Sequence, residues 1–171
     1  MSIAARLVVG VLAVALCESS ARAATGGTIR VKGTGYDRLN DAVVHSKQKT
    51  VTGMIQRSTE IVVLNGDLRG RVLYQVTSVI DDKAGTLVNT GNQVFSGTVA
   101  GSAPVMLYDS RFRFYVNLKT GEEHGSVYLT DHIAGPRVQC ELHVIGTGKR
   151  ADGNPAFKYT GTCTFASKGA A

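Results

Sequence analysis

Apolar and polar residues alternate through most of this chain, and a period of two predicts β-strands rather than helices. The clearest run spans residues 105–118. One parity of this run is mainly apolar and is interrupted by Ser110; it holds Met106, Tyr108, Phe112, Phe114, Val116 and Leu118. The other parity is mainly polar and holds Asp109, Arg111, Arg113 and Asn117. The pattern is typical of a strand with one buried face and one face in water, because successive side chains point to opposite faces.

Three more segments continue this alternation to the end of the chain. Residues 126–133 place on one face Val127, Leu129 and Ile133. Residues 138–144 place on one face Val138, Cys140, Leu142 and Val144. Residues 157–165 place on one face Phe157, Tyr159, Gly161, Cys163 and Phe165. The glycine-containing segments 119–122 and 151–155 separate these runs and predict tight turns.

The first half of the mature chain shows a weaker form of the same pattern. Residues 55–64 end in an apolar run followed by Asn65-Gly66, a strong hairpin dipeptide. Residues 71–80 alternate, residues 81–85 predict a turn, and residues 86–99 predict a strand or a bent pair of strands. A short strand is expected at residues 28–33. Residues 36–49 are the least β-like part and predict a loop or a short helix.

The predicted fold class is therefore all-β. About seven or eight sequential hairpin strands with one apolar face each favour an antiparallel up-and-down barrel of about eight strands, because closure removes the exposed edges of a sheet. A β-sandwich is the alternative.

Residues 1–23 have the features of a secretory signal peptide. Arg6 provides the positive start, residues 7–16 are an unbroken apolar run, and Ala21 and Ala23 are small residues at the cleavage-site positions. A transmembrane anchor is the first alternative, but this run is too short to cross a bilayer. A lipoprotein with lipidated Cys17 is the second. We expect a soluble protein, secreted or periplasmic, with one mature domain over residues 24–171 and no membrane span after cleavage.

Charge and composition exclude several classes of protein. The chain has a net charge of +6, and removal of the predicted signal peptide leaves +5. The basic residues are scattered rather than clustered with aromatic residues, so we expect no nucleic-acid partner. Weak attraction to an anionic envelope polymer remains compatible with this charge. The chain has no Trp and 6% aromatic residues, which argues against the aromatic girdles of an outer-membrane barrel.

Cys140 and Cys163 fall on the apolar parity of two consecutive strands, which we expect to be antiparallel neighbours. Export permits oxidation, so we predict a disulfide between them. The alternatives are a reactive thiol and a metal ligand, although no Cys-x-x-Cys spacing exists.

Candidate binding residues are polar or aromatic side chains on the inward parities. Asp131 lies on the apolar parity beside Leu129; it would be a buried acid or base, or else a solvated carboxylate at the strand end. Ser110 would be a hydroxyl in the pocket or a small residue that fits. The full set of ligand-binding candidates is Tyr74, Tyr108, Ser110, Phe112, Phe114, Asp131 and Tyr159.

Other familiar sites are not expected. The histidines His45, His124, His132 and His143 lack a close second ligand, so we predict no metal site and no cofactor. Residues 146–150 contain Gly-Thr-Gly-Lys-Arg, which lacks the spacing of a phosphate-binding loop. No Gly-x-Ser-x-Gly is present, and we can assign no catalytic residue.

Two segments resemble the barrels of the allene oxide cyclase and dirigent type and their small secreted bacterial relatives. The first is Phe95-Ser96-Gly97-Thr98-Val99-Ala100-Gly101. The second comprises Gly146-Thr147-Gly148 and, later, Gly161-Thr162-Cys163-Thr164-Phe165. The resemblance implies an eight-stranded barrel with a central pocket, in proteins that cyclise or guide apolar substrates or have no known activity.

Three functions follow from these observations. The first is binding of a small apolar molecule inside the barrel. The second is an interaction module for an envelope protein or polymer. The third is a cyclase- or isomerase-like enzyme, an expectation that rests on the resemblance.

Overall fold

A computed structural model describes residues 26–167, so the predicted signal peptide lies outside the described residues. Ten strands and one turn of 3-10 helix, Leu39–Asp41, make up this part of the chain. The strands are β1 Gly27–Asp37, β2 Val43–Lys49, β3 Gly53–Gly66, β4 Leu68–Asp81, β5 Thr86–Val99, β6 Val105–Asn117, β7 Glu123–Leu129, β8 Asp131–Ala134, β9 Val138–Lys149 and β10 Pro155–Phe165. Within residues 26–167, no helix is long and apolar enough to cross a membrane.

The strands form one antiparallel sheet that closes on itself. Strands β3, β4, β5 and β6 pair in sequence, β7 joins β6 to β9, and β10 joins β9 to β1. Pairing of β1 with β3, from Gly33–Gly66 to Asp37–Val62, closes the circle. The predicted up-and-down barrel of about eight strands is confirmed, and the sandwich alternative is wrong.

The two extra strands are continuations of barrel strands. Strand β2 follows β1 along the same neighbour, β3, after the 3-10 turn. Strand β8 follows β7 along the same neighbour, β6. The barrel therefore has eight strand positions, two of which are filled by interrupted strands. The expectation of a loop or helix over residues 36–49 is wrong for Val43–Lys49, although the 3-10 turn lies inside that segment.

The predicted hairpins are present where glycine permits them. Gly66 follows Asn65 at the β3–β4 turn with a φ of 106°, a backbone conformation that residues other than glycine rarely adopt. A Cβ on Gly33, which is its partner on β1, would overlap the ring of Tyr159 and the carbonyl of Asn65. Glycine at these two positions lets β1 approach the hairpin closely enough to close the barrel.

A β-bulge in β6 reverses the facing of its first half. Gly91 pairs with Phe112 and Gln93 pairs with Asp109, so Ser110 and Arg111 together oppose the single residue Asn92. Before the bulge the inward residues are Val105, Leu107 and Asp109. After it they are Phe112, Phe114 and Val116. The predicted single inward parity from Met106 to Leu118 is therefore wrong before the bulge, and Met106 and Leu118 are exposed.

One end of the barrel, called the closed end here, is filled by buried side chains. It lies towards the β3–β4, β5–β6 and β8–β9 turns. Its core comprises Leu68, Phe95, Val99, Val105, Leu107, Val138 and Phe165, together with the cystine. Cys140 and Cys163 are direct partners in the β9–β10 ladder, and their sulfurs are bonded at 2.02 Å. The predicted disulfide is confirmed.

Candidate functional site

A cavity of about 340 Å³ occupies the other end of the barrel, called the open end here. Its rim includes Ile80 and Leu87 beside the β4–β5 turn, Val116 before the β6–β7 turn, and Pro155 after the β9–β10 turn. Its floor includes Leu64, Val72 and Leu129, which belong to the buried core. The barrel is therefore a cup, packed at the closed end and hollow at the open end.

One side of this cavity is apolar. Strands β6, β7, β9 and β10 contribute its aliphatic and aromatic side chains. They are Phe112, Phe114, Val116, Val127, Leu129, Leu142, Val144 and Phe157. These residues alternate with exposed polar ones such as Glu141 and His143, as expected for a barrel wall. This wall could contact the apolar body of a ligand over a large area.

The opposite side of the cavity is polar. The end of β1 and strands β3, β4 and β5 contribute its carboxyl, amide and hydroxyl groups. They are Asp37, Gln56, Glu60, Tyr74, Ser78, Asn89 and Gln93. Glu123, at the start of β7, adds a third carboxyl group at the rim. A ligand in the cavity would thus meet an apolar wall on one side and hydrogen-bonding groups on the other.

Two carboxyl groups share the hydroxyl of Tyr74, and these three residues are called the Tyr74 cluster. The Tyr74 hydroxyl lies 2.7 Å from Oδ2 of Asp37 and 2.6 Å from Oε2 of Glu60. Ser58 donates its hydroxyl to the other oxygen of Glu60. Glu60 and Tyr74 are only 6% and 4% exposed. The ring of Tyr74 meets the ring of Phe112 edge to face, with centroids 5.6 Å apart.

Burial perturbs the titration of this cluster. Burial raises the pKa of Asp37 to about 7, opposed by the hydrogen bond from Tyr74 and reinforced by the charge of Glu60. Burial and the same two carboxylates hold the pKa of Tyr74 well above its usual value. Burial also raises the pKa of Glu123, whereas Lys149 lowers it. The cavity wall therefore contains one carboxyl group, that of Asp37, whose pKa lies near neutral pH.

Two acceptor oxygens in the cavity wall are left without donors. Among the described residues, the buried side-chain atoms with no hydrogen-bond partner are Oδ1 of Asp37 and Oδ1 of Asn89. Buried acceptors are nearly always paired, and an unpaired one costs about 1–3 kcal/mol. Both residues line the cavity, so a bound molecule could supply the missing donors.

Four of the seven predicted site residues line the cavity: Tyr74, Phe112, Phe114 and Tyr159. The hydroxyl of Tyr159 is already engaged, because it accepts from the backbone N–H of Leu68 at 2.8 Å. It can donate to the carbonyl of Leu68 or to that of Asn65. Tyr159 therefore offers its ring to the cavity, while its hydroxyl ties the β3–β4 hairpin to β10.

The other three predicted residues lie outside the cavity. The bulge turns Tyr108 to the outer face, where it pairs with Val94, and it leaves Ser110 exposed. Asp131 is exposed on β8, which agrees with the solvated alternative. Ile133, predicted inward beside it, is 49% exposed. The prediction that Tyr108 and Ser110 face the interior is wrong, because two residues in the bulge oppose one on β5.

Asp37 and Glu60 were missed by the sequence prediction. Glu60 lies on the inward parity of β3 with Val62 and Leu64, and this parity was the signal that could have identified it. Asp37 gave no such signal, because it ends β1 beside the segment with the weakest strand pattern. Its position in the wall depends on its pairing with Val62, which is distant in sequence.

A second group of polar residues lies on the outer face of β6 and β7. This outer patch comprises Arg111, Arg113, Tyr115, His124 and Tyr128. The guanidinium of Arg111 lies 4.4 Å from the ring centroid of Tyr128, and the rings of Tyr115 and His124 are 5.2 Å apart. The patch is basic and aromatic, which suits contact with an anionic or planar group.

No group of three or more His, Cys, Asp or Glu residues within 26–167 is arranged to hold a metal ion. Comparisons with protein-family models, with curated proteins and with solved structures find no match to this chain. The functional interpretation therefore depends on the cavity and the outer face themselves.

Proposed function

We propose that this protein is an exported binding barrel that holds a small, mainly apolar molecule in its cavity. The observation that carries the proposal is the hollow open end, about 340 Å³ in volume, above a fully packed closed end. Protein interiors are normally close-packed, and empty apolar space costs free energy. A cavity of this size falls within the range of small-molecule sites, which are mostly apolar with a few placed polar groups.

The packed closed end supports this proposal by making the cup rigid. The cystine and the surrounding buried residues hold β9 and β10 in register below the cavity. The hydroxyl of Tyr159 on β10 accepts a hydrogen bond from the backbone N–H of Leu68 and so holds the β3–β4 hairpin against β10. A pre-formed site binds more tightly than a flexible one, because less conformational entropy is lost when the ligand is bound.

The proposed location is the periplasm or the exterior of the cell. Disulfides persist in oxidising compartments, and the Cys140–Cys163 pair is consistent with one. The predicted signal peptide provides the route of export. Expression of the full chain with and without a signal-peptidase inhibitor, followed by mass spectrometry of the N-terminus, tests this part of the proposal. Cleavage after Ala23 is expected without the inhibitor and an uncleaved chain with it.

The binding proposal is tested with the neutral fluorescent dye N-phenylnaphthylamine. We expect saturable fluorescence enhancement by the mature protein, which Val127→Trp abolishes. Val127 is half-buried in the cavity wall, so a larger indole would occupy the ligand volume. The control is Val79→Trp, which adds the same side chain to an exposed position on the outer face of β4.

Equal dye binding by the wild type and by folded Val127→Trp would contradict the proposal, because the dye would then bind elsewhere. No saturable binding of the dye, and no unassigned density in a crystal structure of the native protein, would contradict it as well. The resemblance implies a cyclase- or isomerase-like activity as the alternative. Such an enzyme would use the same cavity, so the same negative results would contradict it.

The outer patch favours a second candidate function, contact with an anionic envelope polymer. Arg111 and Arg113 project from the same face of β6, beside Tyr128 and His124 of β7. We expect the protein to bind an immobilised polyanion, and this binding should weaken as the salt concentration rises. The double variant Arg111→Ala with Arg113→Ala should lose this binding. The control pair Arg69→Ala with Arg71→Ala removes the same charge from exposed positions on β4. If both double variants lose the same amount of polyanion binding, the effect comes from net charge alone and the outer patch has no specific role.

A further inference from the structure

The cavity contains acidic groups without basic ones. Its wall includes the carboxyl groups of Asp37, Glu60 and Glu123, and none of the described residues that line it is basic. The ion pairs found within residues 26–167 join Arg38 to Asp41, His124 to Glu122 and Arg150 to Asp152. All of these pairs lie outside the cavity. An acidic interior is therefore enclosed in a protein whose overall charge is positive.

The Tyr74 cluster keeps negative charge in this interior. The Tyr74 hydroxyl has one proton and can donate to only one carboxyl group at a time. Both contacts of this hydroxyl are short, 2.7 Å to Asp37 and 2.6 Å to Glu60. One of the two carboxyl groups must therefore carry a proton and donate it to the Tyr74 oxygen. With Asp37 protonated, the hydrogen bonds run from Asp37 to Tyr74 and from Tyr74 to Glu60. The cluster then holds one negative charge, and loss of that proton would leave two.

Buried charges in proteins are normally paired with an opposite charge. In this cavity the acceptor Oδ1 of Asp37 has no donor, and neither has Oδ1 of Asn89. An ammonium group brings three N–H donors and a positive charge, so it would supply both a donor to Oδ1 of Asp37 and the missing positive charge. A hydroxyl would supply one donor and no charge. A carboxylate would add negative charge to a wall that already holds negative charge without a basic partner.

Aromatic rings around the cavity strengthen this charge argument. The rings of Tyr74, Phe112, Phe114 and Phe157 all line it. The faces of aromatic rings attract cations, and the attraction is greatest where water is excluded. The same rings also contact apolar groups well. One wall can therefore accept both parts of a molecule that has an apolar body and a cationic end.

We propose that the natural ligand is an amphipathic organic cation, an amine whose ammonium group lies against Asp37 and Glu60. Its apolar body would lie against Phe112, Phe114 and the aliphatic wall of β7 and β9. This inference rests on the proposed binding function and specifies its ligand class. A bare metal ion is a poor fit, because the described residues provide no cluster of metal ligands.

The experiment compares three probes with the same alkyl chain: octylamine, octanol and octanoate. Isothermal titration of the mature protein at pH 8 should give octylamine an affinity at least about tenfold above that of octanol, the range expected for a hydrogen bond to a charged group. Octanoate should bind most weakly. Octanol binding as tightly as octylamine would overturn the proposed ligand class while the binding function stands. Failure of all three probes would instead contradict the binding function.

A variant tests the position of the ammonium group. Asp37→Asn should weaken the preference for octylamine over octanol, because one of the two carboxyl groups facing the ammonium group is removed. Its affinity for octanol should be kept, because the cavity shape is preserved. Asp82→Asn is the matched control, since Asp82 is an exposed carboxylate at the open end outside the cavity. An unchanged preference in folded Asp37→Asn would overturn the inference. If this variant does not fold, Glu60→Gln is measured in the same way, with the same expected result.

Discussion

The hydroxyl of Tyr74 lies 2.7 Å from Oδ2 of Asp37, although the two residues are 37 positions apart in the chain. Strand β3 lies between them in the sheet, and its Glu60 completes the cluster. Closure of the barrel between β1 and β3 brings these groups together. Glu60 and Tyr74 already face each other in the β3–β4 hairpin, so the place of Asp37 in the cluster is the part that depends on closure.

Asp37→Asn should change how stability depends on pH. The folded protein keeps the proton of Asp37 up to about pH 7, whereas the ordinary pKa of this carboxyl group is 3.8. Between these values the folded state binds more protons, so the contribution of Asp37 to stability is present at low pH and is lost as pH rises towards 7. Asparagine does not titrate, so the Asp37→Asn variant does not lose this stability as the pH rises. The free energy of unfolding of the variant relative to wild type should rise by about 2–4 kcal/mol from pH 4 to pH 8.

Urea unfolding at the two pH values measures this difference. Asp82→Asn removes one carboxylate from an exposed position and serves as the control for a general charge effect. A difference between Asp37→Asn and wild type that is the same at both pH values would show that Asp37 is not buried as described.

Asp109→Ala should be among the most destabilising single substitutions in the barrel. Asp109 is 1% exposed and accepts from the side-chain amide of Gln93 and from the backbone N–H groups of Arg111 and Tyr128. It bridges β6 to β7 at the bulge, where the ladder between these strands is interrupted. Three buried or half-buried donors would lose their acceptor, at a cost of about 3 kcal/mol or more.

Equilibrium denaturation gives the free energy change for Asp109→Ala. Ser110→Ala, an exposed neighbour within the same bulge, should stay within about 0.5 kcal/mol of wild type. Similar costs for the two variants would mean that the bulge does not depend on the Asp109 carboxylate.

Removal of the disulfide should lower stability without changing the cavity. Cys140 and Cys163 are separated by 23 positions and lie in the closed end, outside the cavity lining. The double variant Cys140→Ala with Cys163→Ala should unfold about 3 kcal/mol more easily, since the cross-link restricts the unfolded chain. Affinity for N-phenylnaphthylamine should be unchanged below the unfolding transition. A folded double variant that cannot bind the dye would show that the two ends are not independent.

Tyr159→Phe should separate the structural role of Tyr159 from its place in the cavity wall. The variant leaves the backbone N–H of Leu68 without its acceptor at the β3–β4 hairpin, which should cost about 1–2 kcal/mol. The ring remains in place, so dye affinity should not change. Tyr108→Phe is the control, because it removes a hydroxyl from the outer face of β6. Thermal unfolding of both variants measures the difference, and equal melting temperatures would contradict the role of the Tyr159 hydroxyl.

Part of the site was predictable from the sequence and part was not, for physical reasons. Phe112, Phe114, Tyr74 and Tyr159 could be identified because apolar alternation persists around each of them. Tyr108 could not be oriented, because residues 105–108 are apolar on both parities and the bulge that decides between them has no distinctive sequence. A shift of one residue reverses every side chain before it.

Alternation, turn residues and cysteine parity by themselves determined the all-β class, the hairpins at Gly66 and Gly121, and the Cys140–Cys163 pair. These features depend on contacts between neighbouring strands, which a period of two records directly. The tertiary structure alone decided that one end is hollow, that Asp37 joins Glu60 and Tyr74, and that Asp131 stays in water. Those outcomes depend on closure, bulges and the filling of volume, which join distant residues and leave no local pattern in the chain.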